Sequence, residues 1–401
     1  AVLSVEEALD RVLSRVVPLP TEQVNLLGAL DRVLAEPVLA LLDIPPWPNS
    51  SMDGYALRSE DVREAAREQP ARLRVAGRIA AGALASRPIA PGEAFRIFTG
   101  APLPEGADSV IPQEEVEADG EVVRVLRRVG RGEYVRAAGE DVRAGETVLE
   151  PGHQIRAAEV GLLATLGRPQ VRVFRRPRVA ILSTGDELVD LGGQIGPGKI
   201  PNSNTYSLMA QVAEAGGEAI NLGVAGDSVE TLDERLRWGL SADVLISSAG
   251  VSVGELDFVR DALIRLGAEL HLWQVAMRPG KPITFGSLGP RPVFGLPGNP
   301  VSAMVTFELF VRPALRKMAG HRVLHRPTIR ARALAPIPNP GRRRGYLRVV
   351  LTPSDGGYGA RLTGEQGSAI LRSMVMADGL AVVPPDTTVP TGAEVTVIKL
   401  T

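Results

Sequence analysis

The chain lacks cysteine entirely and has only four histidines and four lysines among its 401 residues. Without cysteine there can be no disulfide, no thiolate catalysis and no Cys-ligated zinc. Scattered histidines give no support to a histidine metal cluster. The formal net charge is −1, which provides no overall attraction to nucleic acid or to an anionic membrane.

Long apolar runs are also missing, since none approaches the length of a membrane-spanning helix. The first residues, Ala1 to Glu7, lack the basic and apolar segments of a secretory signal. We therefore expect a cytoplasmic protein that has neither nucleic acid nor membrane as a partner. The run Arg342-Arg343-Arg344 is interpreted as part of a solvated loop, which is the usual setting of such clusters.

Hydrophobic periodicity divides the chain into regions of different type. Short alternating runs from about Arg72 to Arg143 predict a small β domain. Strand-like and helix-like runs alternate from Arg178 to Ala319, which predicts an α/β domain with a largely parallel sheet covered by helices on both faces. After His325 the short β segments predict a sandwich or a barrel. Ser4 to Glu7 fits a capping box, and Asn204 is a predicted helix N-cap.

The most informative segment is a glycine-rich loop, Ser248 to Asp257, which follows a predicted strand and precedes a predicted helix. Backbone N–H groups in such a turn bind anions, and Asp257 is placed to hold a metal ion beside the anion. The same loop fits G-x-S-x-G, so a serine hydrolase with Ser252 as the nucleophile is an alternative. The histidines further along have no evident acidic partner in the sequence. A plain connecting turn is a third interpretation.

Further polar clusters follow other predicted strands of the same region. Carboxylates and cations on the carboxyl edge of one sheet are the mixture that a phosphate group and a divalent metal need. Neither a Walker A motif nor a G-x-G-x-x-G motif is present, so ATP hydrolysis and dinucleotide binding lack support. Each cluster alone is a weak signal, because Glu187 or Asp227 could equally cap a helix. The clusters are Ser183 to Leu188, Gly226 to Ser228, Arg278 to Pro282 and Leu296 to Pro300.

Taken in order, these and further motifs resemble the molybdopterin molybdenumtransferases, the MoeA and gephyrin E-domain family. The resemblance spans roughly residues 1–325, and beyond them it extends only to position and β character. The motifs that carry it are Asn49 to Ala56, Thr99-Gly100-Ala101, Gly139-Glu140-Asp141, Ser183 to Leu188, Gly250 to Gly254 with Asp257, Pro279 to Pro282, and Leu296 to Ala303.

The resemblance implies a reaction and an assembly. Members of this family insert molybdate into the dithiolene of adenylylated molybdopterin with magnesium present, and AMP leaves. The resemblance also implies a homodimer, with each cleft formed by the α/β domain of one subunit and the small β domain of the other. It leaves open whether the protein that adenylylates the pterin delivers it directly.

Pattern and resemblance together predict a multidomain α/β plus β fold. We expect a small β domain inserted in an N-terminal helical and extended domain, then a three-layer α/β domain with a mostly parallel sheet, then a C-terminal β-barrel-like domain. The predicted bounds are 1–43 with 144–175 for the N-terminal domain, 44–143 for the inserted domain, 176–325 for the α/β domain and 326–401 for the C-terminal domain.

The resemblance also implies roles for individual residues at matching positions. Catalytic roles fall on Asp53, Thr99, Glu187, Asp227, Asp257 and Lys281. Contacts to the pterin nucleotide or molybdate fall on Arg136, Ser183, Thr184, Gly185, Gly250, Ser252, Gly254, Arg278, Pro297 and Gly298. Magnesium ligands are expected among Asp53, Asp141, Glu187, Asp227 and Asp257.

Three positions depart from the family pattern. Arg278 stands where lysine is usual, and it keeps the charge while adding a planar fork that suits an oxyanion. Ser51 replaces a usual alanine. Ala249 replaces a usual glycine, which would carry strain if that position needs a positive φ. Besides the hydrolase, a non-catalytic scaffold that binds a peptide, as the gephyrin E domain does, remains an alternative. The acidic and glycine clusters favour the transferase.

Overall fold

A computed structural model describes residues 2–226, 229–248, 258–354 and 356–400. The chain divides into two compact units. Unit 1 contains Ala1–Ala35, Pro151–Gly161 and Pro169–Thr401, and unit 2 contains Glu36–Glu150 and Leu162–Arg168. No helix within the described residues is long and apolar enough to cross a membrane.

Unit 1 begins with β1 (Val2–Leu3), α1 (Val5–Leu13) and β2 (Thr21–Asn25). The predicted capping box is present: the Glu7 amide donates to Ser4 Oγ at 3.1 Å, and the Ser4 amide donates to Glu7 Oε2 at 2.8 Å. Two of the free N–H groups at the helix start are thereby satisfied. The apolar stripe of α1 packs into the main core of unit 1.

Unit 2 is built on a six-stranded sheet with the order β8-β5-β7-β6-β10-β9 and shorter two-stranded pairs beside it. This sheet agrees with the small β domain that the sequence predicts, and its strands β5 and β8 are buried along their whole length. The strands of this unit are β3 (Val38–Leu39), β4 (Asn49–Ser50), β5 (Gly54–Leu57), β6 (Ala71–Ile79), β7 (Glu93–Ile97), β8 (Ser109–Pro112), β9 (Val116–Asp119), β10 (Val122–Val125), β11 (Val135–Arg136) and β12 (Thr147–Leu149).

The α/β region of unit 1 carries a seven-stranded sheet with the order β1-β19-β21-β22-β18-β14-β17. Its strands pair in parallel except for β21, which is antiparallel to both of its neighbours. The strands of this region are β13 (Gln170–Phe174), β14 (Arg178–Thr184), β15 (Leu188–Val189), β16 (Ile200–Pro201), β17 (Glu218–Ala225), β18 (Val244–Ser248), β19 (Glu269–Val275), β20 (Met277–Arg278), β21 (Pro282–Leu288) and β22 (Arg291–Leu296). Helix α2 (Ala157–Thr165) precedes this region and is divided between the two units at Gly161 and Leu162. The helices of the region are α3 (Ser203–Glu214), α4 (Val229–Gly239), α5 (Phe258–Arg265), α6 (Pro300–Thr306) and α7 (Arg312–Met318), with a π-helix, Phe307–Val311, between the last two.

Alternation along β14 shows why this sheet has helices on both faces. Val179 and Ile181 pack into the core that contains α1, α3, α6 and α7, whereas Ala180 and Leu182 pack into the core that contains α4 and α5. Side chains two apart share a face of a strand, so a strand that is apolar throughout must be covered twice. Full burial of each large aliphatic side chain contributes about 1.5–3 kcal/mol. The three-layer prediction is confirmed.

The C-terminal region of unit 1 is a closed five-stranded barrel. Strand β25 pairs with β26 and β27, β23 pairs with β26 and β29, and β27 pairs with β29, so the ring closes. Its elements are β23 (Thr328–Ala333), β24 (Ile337–Asn339), β25 (Arg344–Ser354), β26 (Gly357–Leu362), α8 (Arg372–Val375), β27 (Gly379–Val383), β28 (Thr387–Val389) and β29 (Glu394–Lys399). Closure removes free strand edges. The predicted barrel-like fold is confirmed, whereas the bounds of four separate domains remain a prediction.

Candidate functional site

Polar residues of unit 1 meet where the parallel strands end. Strands β14, β18 and β22 point their carboxyl ends to one edge, and antiparallel β21 begins at the same edge. Two cavities open there, of about 670 and 560 Å³, and both are lined by Gly298 and Asn299. This is the edge at which α/β sheets bind ligands.

The larger cavity, here called the cationic cavity, is lined by the cations Arg278, Lys281 and Arg343. No carboxylate is found among the described residues that line it. Its walls are completed by Pro279, Gly280, Pro282, Pro297, Gly298, Asn299, Ser302, Gln366, Gly367 and Ser368. The two cations predicted from the sequence and the predicted Pro297-Gly298 turn thus lie together. Such a lining suits an oxyanion.

A tight turn holds Arg278 and Lys281 on the same cavity. Gly280 has φ of +97°, a conformation that L side chains rarely adopt, and a Cβ there would lie 2.5 Å from Thr306 Oγ1. Only glycine fits this position without a shift of α6. Arg278 is also fixed from its other side, because β20 pairs with β25 of the barrel.

The barrel supplies lining residues that no sequence motif predicted. Arg343 Nη1 donates to the Met277 carbonyl at 3.2 Å, and the side chain of Arg344 pairs with Glu6. Arg342 is exposed, as the solvated-loop interpretation expects, whereas Arg343 and Arg344 are half-buried and have partners. Residues Gln366 to Ser368 come from a barrel loop, which α6 contacts through the Val301 amide and the Ser368 carbonyl at 3.0 Å.

A buried arginine supports that barrel loop from behind. Arg348 is 0% exposed and donates to the Gly367 carbonyl and to Ser373 Oγ, both at 3.0 Å. Its amide donates to Gln366 Oε1 at 2.8 Å. Burial, and then the charge of Arg278, lower the pKa of Arg348 to about 10. No carboxylate within the described residues pairs with it, so its charge adds to the positive potential beside the cationic cavity.

The smaller cavity, here called the glutamate cavity, carries Glu187 and no cation among the described residues that line it. Ser183, at the end of β14, also lines it, and its Oγ lies 2.7 Å from Thr205 Oγ1. The preceding turn brings Glu187 back over Gly185, where a Cβ would lie 2.5 Å from Glu187 Oε2 at φ of +137°. Thr184 is buried at the same strand end.

Asn204 joins two loops of this cavity. Its Nδ2 donates to Ser248 Oγ and to the Gly298 carbonyl, both at 2.8 Å. The sequence predicted Asn204 as the helix N-cap, and that prediction was wrong. Asn202 caps α3 instead, accepting from the Thr205 amide. The predicted cap was two residues too late. Because Asn204 does not cap the helix, its side chain is free to connect the two loops of the glutamate cavity.

In unit 2, Thr99 and Asp53 form one constellation. The Thr99 amide and Oγ1 both donate to Asp53 Oδ1 at 2.8 Å. These hydrogen bonds, and then the nearby Arg96 charge, hold the pKa of the Asp53 carboxyl below its ordinary value. Arg136 and Asp141 line a cavity of about 470 Å³ with Ile44, Pro45, Asn49 and Glu140.

Several predicted positions fall outside the described residues: Asp227, Gly250, Ser252, Gly254 and Asp257. The departure at Ala249 lies there too. Among the residues that are described, no three acidic or histidine side chains gather as a metal site. Asp53 and Asp141 belong to unit 2 and Glu187 to unit 1. The described residues do not test the predicted magnesium site, which stays a prediction.

Three family models match successive parts of the chain. They are the MoeA N-terminal region (domain I and II) at residues 3–167, a probable molybdopterin binding domain at 180–317, and the MoeA C-terminal region (domain IV) at 330–400. The middle match covers the sheet whose carboxyl edge forms the two cavities. Fold and site thus define a multidomain protein of molybdopterin chemistry.

Relatives of known name agree with these matches. A molybdopterin molybdenumtransferase from Nostoc is 42% identical over 95% of this chain and 89% of its own length, and one from Bacillus subtilis is 34% identical over 96% and 91%. The crystal structure of a molybdopterin biosynthesis MoeA protein from Pyrococcus horikoshii superposes with a TM-score of 0.85, at 31% identity and 99% coverage of both chains. The chain belongs to the MoeA family of molybdopterin molybdenumtransferases, a family of transferases in molybdenum cofactor biosynthesis.

Proposed function

We propose that this protein inserts molybdate into adenylylated molybdopterin and releases AMP. The observation that carries the proposal is the cationic cavity, with Arg278, Lys281 and Arg343 on its walls and no carboxylate among its described lining residues. Molybdate and the phosphates of the pterin nucleotide are the anions of this reaction. Fixed cations would bind them in the ground state and stabilise the charge that develops on the departing phosphate.

The adjoining glutamate cavity supports an orientation for the bound ligand. It shares Gly298 and Asn299 with the cationic cavity, so one extended ligand can occupy both. Its lining combines apolar residues, among them Leu188 and Ile200, with neutral hydroxyl and amide groups and one carboxylate, Glu187. We infer that the oxyanion groups lie at the cations while an uncharged part of the nucleotide lies on the glutamate side. Lys281 then acts as a compact point charge, and Arg278 offers a planar fork to two oxygens of one oxyanion.

Magnesium and a second subunit belong to the proposal as expectations from the family resemblance. Magnesium would neutralise phosphate charge when bound, with Asp227 and Asp257 as expected ligands outside the described residues. A homodimer would bring the Asp53 and Thr99 constellation of one copy into the cleft of another.

The proposal is tested with Lys281→Ala in an assay of molybdate-dependent AMP release from adenylylated molybdopterin. Loss of one charge-assisted hydrogen bond to an oxyanion, about 1.5–3 kcal/mol, predicts a rise of roughly ten- to hundredfold in the molybdate concentration for half-maximal rate. Lys399→Ala is the matched control, because Lys399 lies over Tyr358 in the barrel and outside both cavities. If the rates of both variants depend on molybdate in the same way, the cationic cavity takes no part in the reaction.

A further inference from the structure

A buried amide in unit 2 has no partner that explains its burial. Asn49 is 6% exposed, and its Oδ1 is buried without a hydrogen bond among the described residues. Buried side-chain oxygens are normally satisfied, so each exception calls for a physical reason. The stability of the fold does not explain this buried oxygen. An apolar side chain of similar size would fill the same space without the cost of removing the oxygen from water.

The backbone holds Asn49 rigidly in place. It lies on β4, where it pairs with Arg136 of β11, and an isolated bridge joins it to Pro102 on its other side. The neighbouring Ser50 amide donates to the Ala101 carbonyl at 3.0 Å. A side chain between two such pairings is well positioned before any ligand arrives, which is the arrangement that binding sites require.

Asn49 faces a cavity rather than a filled core. The cavity of about 470 Å³ has Ile44 and Pro45 beside Asn49, and the exposed side chains of Arg136, Glu140 and Asp141 complete its lining. Two apolar side chains beside one amide offer a flat surface and a polar edge. Arg136 adds a positive charge within the same cavity, and none of the described carboxylates forms an ion pair with it. A planar polar ring matches the apolar surface and the amide, while the single cation and the two carboxylates leave no excess of positive charge.

A contrast within the chain shows what a structural asparagine looks like. Asn339 is 0% exposed and its Oδ1 also lacks a described partner, but its Nδ2 donates to the carbonyls of Arg343, Val383 and Pro384 at 2.9–3.2 Å. That amide ties three backbone segments together. No such ties are made by Asn49, although it is almost as deeply buried.

We propose that Asn49 recognises the edge of a planar nitrogen heterocycle in this cavity, through an amide that offers a donor and an acceptor in one plane. Asparagine reads adenine by this pairing in nucleic-acid complexes. The proposal rests on the proposed function, whose substrate contains two such rings, adenine and the pterin. It deepens that function by naming a residue that selects the substrate.

The test is calorimetric titration of the full chain and of Asn49→Leu with AMP and, separately, with 6-hydroxymethylpterin. Loss of a two-point pairing predicts roughly ten- to hundredfold weaker binding of one ligand, and the ligand that weakens identifies the ring. The thermal midpoint of Asn49→Leu should equal or exceed that of the parent, since an unsatisfied buried oxygen is removed. Asn339→Leu should lower it by several degrees. If Asn49→Leu does not fold, the same titrations are performed with Asn49→Ala.

Unchanged affinity of the variant for both ligands would overturn the inference, as would a parent chain that binds neither. Neither result bears on the proposed function, which the assay of AMP release tests separately. If the variant also releases AMP at the parent's rate and substrate dependence, the inference fails while the transfer reaction stands. If the parent releases no AMP in the presence of molybdate, the proposed function fails whatever the titrations show.

Discussion

Asn204 offers the sharpest test of how the cleft is held together. Its Nδ2 donates two hydrogen bonds of 2.8 Å, to Ser248 Oγ and to the Gly298 carbonyl, while its Oδ1 is buried without a described partner. Asn204→Ala removes both hydrogen bonds, which are each worth about 0.5–1.5 kcal/mol net. It also removes an unsatisfied oxygen, which offsets part of that loss. We therefore expect a fall in unfolding free energy of only about 1 kcal/mol.

The effect on function should be larger than the effect on stability. Gly298 lies on both cavities, so a turn released from Ser248 changes the geometry of both at once. A displacement of the order of 1 Å costs roughly a hundredfold in a positioned reaction. We expect Asn204→Ala to lower the maximal rate of AMP release by about that factor, with the thermal midpoint falling by about 2–4 °C.

Two further variants isolate the bond that matters. Asn204→Asp keeps the size and can accept from Ser248 Oγ, but it cannot donate to the Gly298 carbonyl, so it should resemble Asn204→Ala in rate. Asn202→Ala removes the cap of α3 and should lower stability by about 1 kcal/mol. The reasoning is refuted if Asn204→Asp retains the parent rate, or if the rate loss of Asn204→Ala merely follows its loss of folded protein.

Other variants probe other parts of the account. Gly280→Ala forces a Cβ to within 2.5 Å of Thr306 Oγ1 at φ of +97°, so the molybdate concentration for half-maximal rate should rise at least tenfold; a parental value would show that the turn adapts. Arg348→Met loses its bonds to Gly367 and Ser373 but also a costly buried charge, so denaturant unfolding should change by less than about 2 kcal/mol while molybdate use weakens. A large stability loss with parental kinetics would make Arg348 purely structural. Hydrogen bonds from Arg87 lower the pKa of Glu93 to about 2. The stability that the Glu93 carboxylate gives the fold is therefore present above about pH 4.5 and is lost as the pH falls towards 2. An acid titration in which Glu93→Gln and the parent lose stability in parallel would contradict this.

Fold class was predictable because it depends on local pattern. The apolar run of β14, the capping box at Ser4 and the short β segments after His325 each reflect a periodicity or a cap that neighbouring residues determine. The polar segments that follow β14, β19 and β22 could be assigned to one edge because parallel strands align their carboxyl ends. The structure brings Ser183, Glu187, Arg278, Lys281, Pro297 and Gly298 to that edge.

The barrel's part in the site could not be predicted in the same way. Gln366 and Ser368 reach the cationic cavity because β20 pairs with β25, a contact between residues far apart in sequence. No periodicity or spacing reports such a pairing. The sequence shows Arg343 within a run of arginines. Its charge could be assigned to the cationic cavity only after the structure had located the turn at Gly280. Asn204 was misassigned because two asparagines, at 202 and 204, could each begin the same helix.

The central claim is that this chain transfers molybdate and releases AMP at the cavities of unit 1. The most direct measurement incubates the purified protein with adenylylated molybdopterin and magnesium, with and without molybdate, and follows AMP and molybdenum-loaded pterin together. The account predicts that both products appear in equal amounts, that they depend on molybdate, and that Lys281→Ala needs more molybdate for the same rate while Lys399→Ala does not. AMP release that is independent of molybdate, or no AMP at all, would contradict it.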